Sequence, residues 1–207
     1  QPSQHRAIVN IGGIANVTLL AHDAPVTGFD TGPGNALLDN WIMQCHNLPY
    51  DDNGWFSHQG QVLPELLAQM LADPYFAKLP PKSTGREYFN LHWLQQFQPE
   101  HYKAADVQRT LCRLTAQTIT GFLSNSKLEQ LYVCGGGVHN PVLMADLALL
   151  MPHCTVSNTN ELGVNADWVE AMAFAWLAWA YQHNVTGNLP EVTGASKACV
   201  LGVPYLP

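Results

Sequence analysis

Charge is scarce in this chain: 12% of its 207 residues are Asp, Glu, Lys or Arg, and nine Lys and Arg stand against sixteen Asp and Glu. The formal net charge of −7 and the lack of any basic tract argue against a nucleic-acid partner, because such partners need Lys and Arg gathered on one face. An acidic surface does not exclude ATP, which backbone amides and a metal can meet locally. No G-x-x-x-x-G-K-[ST] loop occurs, which sets aside a P-loop mechanism. No H-E-x-x-H or zinc-ligand spacing occurs, and the nine histidines are dispersed. The five cysteines, Cys45, Cys112, Cys134, Cys154 and Cys199, are odd in number and form no C-x-x-C pair, which favours free thiols in a reducing compartment. The longest apolar run, Ala171 to Tyr181, falls short of the ~20 residues that span a bilayer. No signal-peptide pattern is visible, so a cytoplasmic protein with no membrane partner is expected.

What remains is a rather apolar chain, 47% hydrophobic, long enough to bury a substantial core. Ala7-Ile8-Val9-Asn10 reads as a strand ending at a glycine pair, with further strands over Ala15 to Leu20 and Val26 to Asp30. Three strands so close together imply an antiparallel meander. From Asn35 the pattern turns helical, with Leu37, Leu38, Trp41, Ile42 and Cys45 on one side. Residues 46 to 60 read as a loop, Leu63 to Leu71 as a helix, and 78 to 90 as an irregular segment that is either a binding element or a connector. A long amphipathic helix follows from Ala105 to Leu123, with Leu111, Leu114, Thr115, Thr118 and Phe122 as its stripe. Then come a strand from Gln130 to Cys134, a helix from Pro141 to Leu150 and a short strand over Cys154 to Val156. Trp168 to Tyr181 is apolar nearly all round, which predicts a helix buried between layers. The sum is an α/β architecture with a mixed sheet flanked by helices.

Two glycine-bearing turns stand out. Asn10-Ile11-Gly12-Gly13-Ile14-Ala15-Asn16 is either an anion-binding turn or an ordinary hairpin. Phe29-Asp30-Thr31-Gly32-Pro33-Gly34-Asn35 carries a carboxylate at the end of a candidate strand. Asp30 there is either a general base or an Asx-turn residue. Cys134-Gly135-Gly136-Gly137 is a nucleotide clamp or a tight strand-to-helix turn, with Asn140 placed to cap the next helix ahead of Pro141. Glu170 is a single charge near the start of an apolar helix, where it must be paired, placed at the helix N-terminus or used in a site. Asp167 beside it suits capping.

Taken together, these motifs resemble the anhydro-N-acetylmuramic acid kinases, a bacterial sugar-kinase family of the acetate and sugar kinase, Hsp70 and actin superfamily. The resemblance runs from Ala7 to the C-terminus and adds Lys82-Ser83-Thr84-Gly85-Arg86-Glu87-Tyr88-Phe89, Glu170 to Ala178, Gly187 to Pro190 and Val192 to Ser196. It implies a ribonuclease H-like (actin-like ATPase) lobe spanning 1–207, the C-terminal lobe of a two-lobed kinase. The N-terminal lobe, with its Gly-Thr-Ser-x-Asp-Gly phosphate loop, has no copy here. By resemblance Asp30 matches the catalytic base and Glu170 a carboxylate contacting the sugar. Asn10, Gly12, Gly13 and Asn16 would face the nucleotide phosphates, and Gly135, Gly136, Gly137 and Asn140 the adenosine. ATP and Mg²⁺ are the implied cosubstrate and metal, and a homodimer the implied assembly. The implied reaction opens 1,6-anhydro-N-acetylmuramic acid with water and phosphorylates O6. A non-catalytic nucleotide-binding module, or another sugar or acyl kinase of the superfamily, is the alternative.

Overall fold

The computed structural model describes residues 4–123 and 127–205. Its five strands are β1 (Arg6–Ile11), β2 (Ile14–Leu20), β3 (Thr27–Pro33), β4 (Gln130–Cys134) and β5 (Thr155–Asn158). They form one sheet in the order β3-β2-β1-β4-β5, antiparallel from β3 to β1, with β4 and β5 continuing parallel to β1. This is the mixed sheet that the element pattern predicts, in the form of the ribonuclease H-like lobe that the resemblance implies. The helices are α1 (Ala36–His46), α2 (Pro64–Leu71), α3 (Pro74–Ala77), α4 (Leu91–Gln95), α5 (Ala104–Leu123), α6 (Pro141–Leu150), α7 (Val169–Gln182) and α8 (Pro190–Thr193).

Alternation decides which face of the sheet is covered. Ala7, Val9 and Ile11 of β1, Ala15 and Val17 of β2 and Phe29 of β3 are buried. They share a core with Leu111, Leu114, Ile119 and Leu123 of α5, which packs on β3 and β2 and touches α1, α2 and α6. Phe29 meets Phe122 edge to face at 5.3 Å, which ties β3 to the last turn of α5. The opposite face carries Ile8, Asn10, Asn16, Thr18, Gly28 and Asp30, all half-buried.

Two expectations need correction. The third strand does not stop at Asp30 but runs to Pro33, because Gly32 and Pro33 pair with Ala15 and Ile14. The register shifts between Ala15 and Asn16, leaving Thr31 as the extra residue of a bulge, with its hydroxyl donating to the Ala15 carbonyl at 3.2 Å. Asp30 therefore stands within the strand, its backbone fixed on both sides. The second correction concerns α7, which is not buried between layers. Trp168, Met172, Phe174, Trp176 and Trp179 are exposed, Trp168 by 65% and Phe174 by 64%, and Ala180 is its one buried residue. An all-round apolar pattern specifies that a helix is to be covered. It does not place the cover in the same stretch of chain, and the described residues do not supply it.

Candidate active site

The sheet register sets four residues in one row across its open face: Cys134, Asn10, Asn16 and Asp30 are successive pairing partners on β4, β1, β2 and β3. The Asp30 carboxylate is held from two directions. Asn16 Nδ2 donates to its Oδ1 at 2.9 Å, and the Thr84 backbone N–H donates to its Oδ2 at 2.9 Å. Its main chain is fixed as well: Asp30 N–H donates to the Lys82 carbonyl at 3.1 Å, and Tyr75 Oη donates to the Asp30 carbonyl at 2.8 Å. Each carboxylate oxygen accepts one bond and keeps a further lone pair. Beside it opens a cavity of about 500 Å³ lined by Asn16, Thr18, Asp30, Lys82, Ser83 and Thr193. A rigidly aimed carboxylate at a cavity wall is the geometry a general base needs.

Next to this row, three glycine turns interlock. The Gly12 carbonyl accepts from Asn35 N–H at 2.7 Å, and the Gly13 carbonyl accepts from Gly34 and Ala36 N–H at 2.9 and 3.0 Å. With both carbonyls taken, the turn's N–H groups are what it has left to offer an anion. A Cβ at Gly34 would collide with the Gly12 carbonyl oxygen. Gly135, at φ +79°, and Gly137 pack so closely on Asn10 and Ile11 that a side chain at either would collide there. Asn35 Nδ2 donates to the Ile11 carbonyl at 3.2 Å and completes the knot.

Beyond the turns lies a second cavity of about 360 Å³, lined by Asn35 ahead of α1, Asp39 of α1, Asp51, Gly136, His139 and Asn140. Burial pushes the Asp39 carboxyl up to about 6, with the Asp51 charge adding and the Arg86 guanidinium opposing. Asp51 is itself buried and accepts from the Phe56 and Ser57 N–H groups at 2.7 and 2.9 Å. His139 Nε2 lies 2.8 Å from Asp167 Oδ1 at the exposed rim.

The structure thus brings together Asn10, Gly12, Gly13, Asn16, Asp30, Gly135, Gly136 and Gly137, and it divides their work. The Asn16 side chain is spent on Asp30. Gly137 is buried against Ile11, and Asn140 caps α6 by accepting from Val142 and Leu143 N–H at 3.0 and 3.2 Å. Glu170, exposed in the first turn of α7, lines neither cavity and has no recorded hydrogen bond or ion pair among the described residues. Sequence reasoning gave no separate role to Thr84, Tyr75, Asn35, Asp39 or Arg86. For Thr84 and Arg86 the signal was present in the 82–89 motif, but its separation from Asp30 and Gly13 hid the contacts.

The model of the family described as anhydro-N-acetylmuramic acid kinase matches residues 1–207. The chain belongs to that family. A Neisseria meningitidis serogroup C (strain 053442) protein named anhydro-N-acetylmuramic acid kinase is 50% identical over 203 residues, which cover 97% of this chain and 56% of the relative. Its Neisseria gonorrhoeae (strain ATCC 700825 / FA 1090) namesake is 49% identical over 97% of this chain and 55% of its own length. The chain therefore spans about half the length of the curated relatives it matches. Among solved structures, the activator of the 2-hydroxyisocaproyl-CoA dehydratase from Clostridium difficile, with bound ADPNP, is 14% identical with a TM-score of 0.48, covering 76% of this chain and 55% of that one. The xylulose kinase from Rhodospirillum rubrum is 13% identical with a TM-score of 0.43, covering 83% of this chain and 38% of that one. Neither likeness carries a functional argument.

Proposed function

We propose that this chain is the C-terminal, nucleotide-binding lobe of a two-lobed ATP-dependent sugar kinase. The enzyme would open 1,6-anhydro-N-acetylmuramic acid hydrolytically and phosphorylate O6, giving N-acetylmuramic acid 6-phosphate in the recycling of cell-wall peptidoglycan. The observation that carries the reading is the Asp30 carboxylate, clamped by Asn16 and Thr84 beside one cavity and one residue row away from the glycine knot. The family match supplies the substrate class.

In this mechanism the sugar occupies the cavity beside Asp30. The Asp30 carboxylate takes a proton from a water, whose oxygen bonds to the anomeric carbon as the bond from that carbon to O6 breaks. The freed O6 then attacks the γ-phosphorus of ATP, and the bond from that phosphorus to the leaving ADP breaks. Water attack on an acetal carbon needs a base, worth typically ~10²–10⁴-fold, whereas phosphoryl transfer mostly needs positioning and charge neutralisation. The nucleotide phosphates would lie on the Gly12-Gly13 turn and the nucleoside in the cavity between α1 and Gly136. Glu170 would reach the sugar only in the assembled protein.

Mg²⁺ fits this chemistry. It is held through one or two carboxylates plus substrate phosphates rather than in a protein cage, so it does not require the three-ligand cluster that is absent among the described residues. The carboxylates that could hold it are Asp30, beside one cavity, and Asp39, lining the other. When bound, it would supply neutralisation of the phosphate charge.

The other half of the relatives' length would supply the facing wall of the cleft and the cover for α7. We also expect, from the resemblance alone, that the intact enzyme is a cytoplasmic homodimer, which sedimentation and fractionation would check. The decisive experiment is phosphorylation of the anhydro sugar by the intact protein. Asp30→Asn is expected to lower kcat by at least ~10²-fold, and unaltered turnover in that variant would overturn the mechanism. Competition from N-acetylmuramic acid or acetate as the better acceptor would overturn the substrate.

A further inference from the structure

We propose that Arg86 is the phosphate-recognising cation of this site, its guanidinium contacting the terminal phosphate groups of the nucleotide above the Gly12-Gly13 turn. This rests on the nucleotide reading given above and adds a residue and a charge to it.

The first observation is steric. A Cβ built on Gly13 would collide with Arg86 Nε and stand 2.6 Å from Nη2 and 2.7 Å from Cζ. The guanidinium therefore lies directly against the turn that offers its N–H groups to an anion. Glycine at 13 is what makes room for it, a reason independent of hairpin geometry.

The second observation is how the residue is held. Two positions earlier, Thr84 N–H is bonded to the Asp30 carboxylate, and the Lys82 carbonyl accepts from Asp30 N–H. Three positions later, Phe89 is fully buried, and its N–H donates to the Gly85 carbonyl at 3.2 Å. Arg86 thus hangs between two anchors on one short loop, which joins the candidate base to the candidate phosphate turn. Its backbone is held by those anchors, and among the described residues no hydrogen bond of the Arg86 side chain is recorded.

The third observation concerns charge. Arg109 and Arg113 are committed to Asp146 at 2.6 and 2.7 Å, and Arg6 is bonded to Gln4. The Lys82 ammonium sits 4.5 Å from the Tyr75 ring centre and 4.0 Å from that of Phe122. Among the described residues Arg86 has no recorded ion pair. The Arg86 charge is felt at the Asp39 carboxyl, which burial nonetheless pushes up to about 6, and no ion pair joins the two among the described residues. In a chain of net charge −7, with Asp30 beside one cavity and Asp39 lining the other, a polyphosphate needs a local cation to enter. A guanidinium matches it best, since its planar fork can bond two phosphate oxygens at once.

Calorimetric titration of the intact protein with a non-hydrolysable ATP analogue, ADP and AMP tests this. Arg86→Ala is expected to weaken the triphosphate and the diphosphate at least tenfold and to leave AMP unchanged, with Arg86→Lys recovering part of the loss. Gly13→Ala is expected to reproduce that selective loss, because its methyl group displaces the guanidinium without removing its charge. Equal weakening of all three nucleotides would show a merely structural residue and overturn the proposal, as would no weakening at all. If the unaltered protein binds no nucleotide, the nucleotide reading falls and this inference falls with it; if it binds ATP and the Arg86 variants bind equally well, only this inference falls.

Discussion

Asn16 and Asp30 are direct partners across the β2–β3 ladder, and the amide of the first donates to the carboxylate of the second at 2.9 Å. The bulge at Thr31 begins at that pair, so the register that aims Asp30 at the cavity depends on both residues. A hydrogen bond to a charged acceptor contributes ~1.5–3 kcal/mol, which corresponds to roughly ten- to a hundredfold in rate when it orients a base. Asn16→Ala is accordingly expected to lower kcat by that factor with little change in the KM for sugar. A rise in KM for ATP with kcat intact would instead make Asn16 a nucleotide ligand.

Gly34 is the tightest point of the glycine knot. A methyl group there meets the Gly12 carbonyl oxygen and comes within 3.1 Å of the Ile14 carbonyl carbon, and both are backbone atoms that cannot swing aside. Overpacking of this kind costs ~1–3 kcal/mol or more. Gly34→Ala should therefore lower the melting temperature by several degrees and weaken nucleotide binding together with it. Gly121, whose Cβ would meet nothing within 4 Å, supplies the control: Gly121→Ala should leave nucleotide binding unchanged and hold or raise the melting temperature, since alanine favours the α5 helix over glycine.

Asp39 makes a signed prediction about pH. Its carboxyl is raised from 3.8 to about 6, chiefly by burial, so the folded state holds the proton more tightly than the unfolded state does. Between those two values folding takes up a proton. Stability contributed by this group is then full at acid pH, declines as pH rises through the window, and stays lost above it. Asp39→Asn should be more stable than the native protein at pH 7.5, by about 1 kcal/mol once partial exposure is discounted. Denaturant melts should converge near pH 4. A gap that persists there would mean the effect is packing rather than charge.

The strands and α5 were legible because each carries a period that only one packing satisfies: Ala7, Val9 and Ile11 alternate onto the core, and Leu111 and Leu114 repeat at helical spacing. The glycine turns were legible as turns, and Asp30 as the carboxylate among them. What stayed hidden were contacts between distant positions. Nothing in residues 82 to 86 says that Thr84 will donate to Asp30 or that Arg86 will lie on Gly13; those follow from a loop folding back across the sheet. The exit of β3 was misread because Thr31-Gly32-Pro33 has turn chemistry, yet pairing with Ala15 and Ile14 overrides that preference.

The α7 helix makes the last prediction. Trp168, Met172, Phe174, Trp176 and Trp179 are exposed on a helix that is not amphipathic, a surface a soluble monomer rarely leaves open. Fully burying side chains of this size stabilises by ~1.5–3 kcal/mol each, so the cover is expected to be part of the intact protein and not an incidental contact. Phe174→Glu and Trp176→Glu should then act in opposite directions in two preparations. In the 207-residue chain alone they should reduce concentration-dependent self-association and the binding of an apolar fluorescent dye. In the intact protein the same substitutions should lower the melting temperature, because they bury a charge without a partner. If they improve solubility in both preparations and cost the intact protein nothing, α7 faces solvent there too.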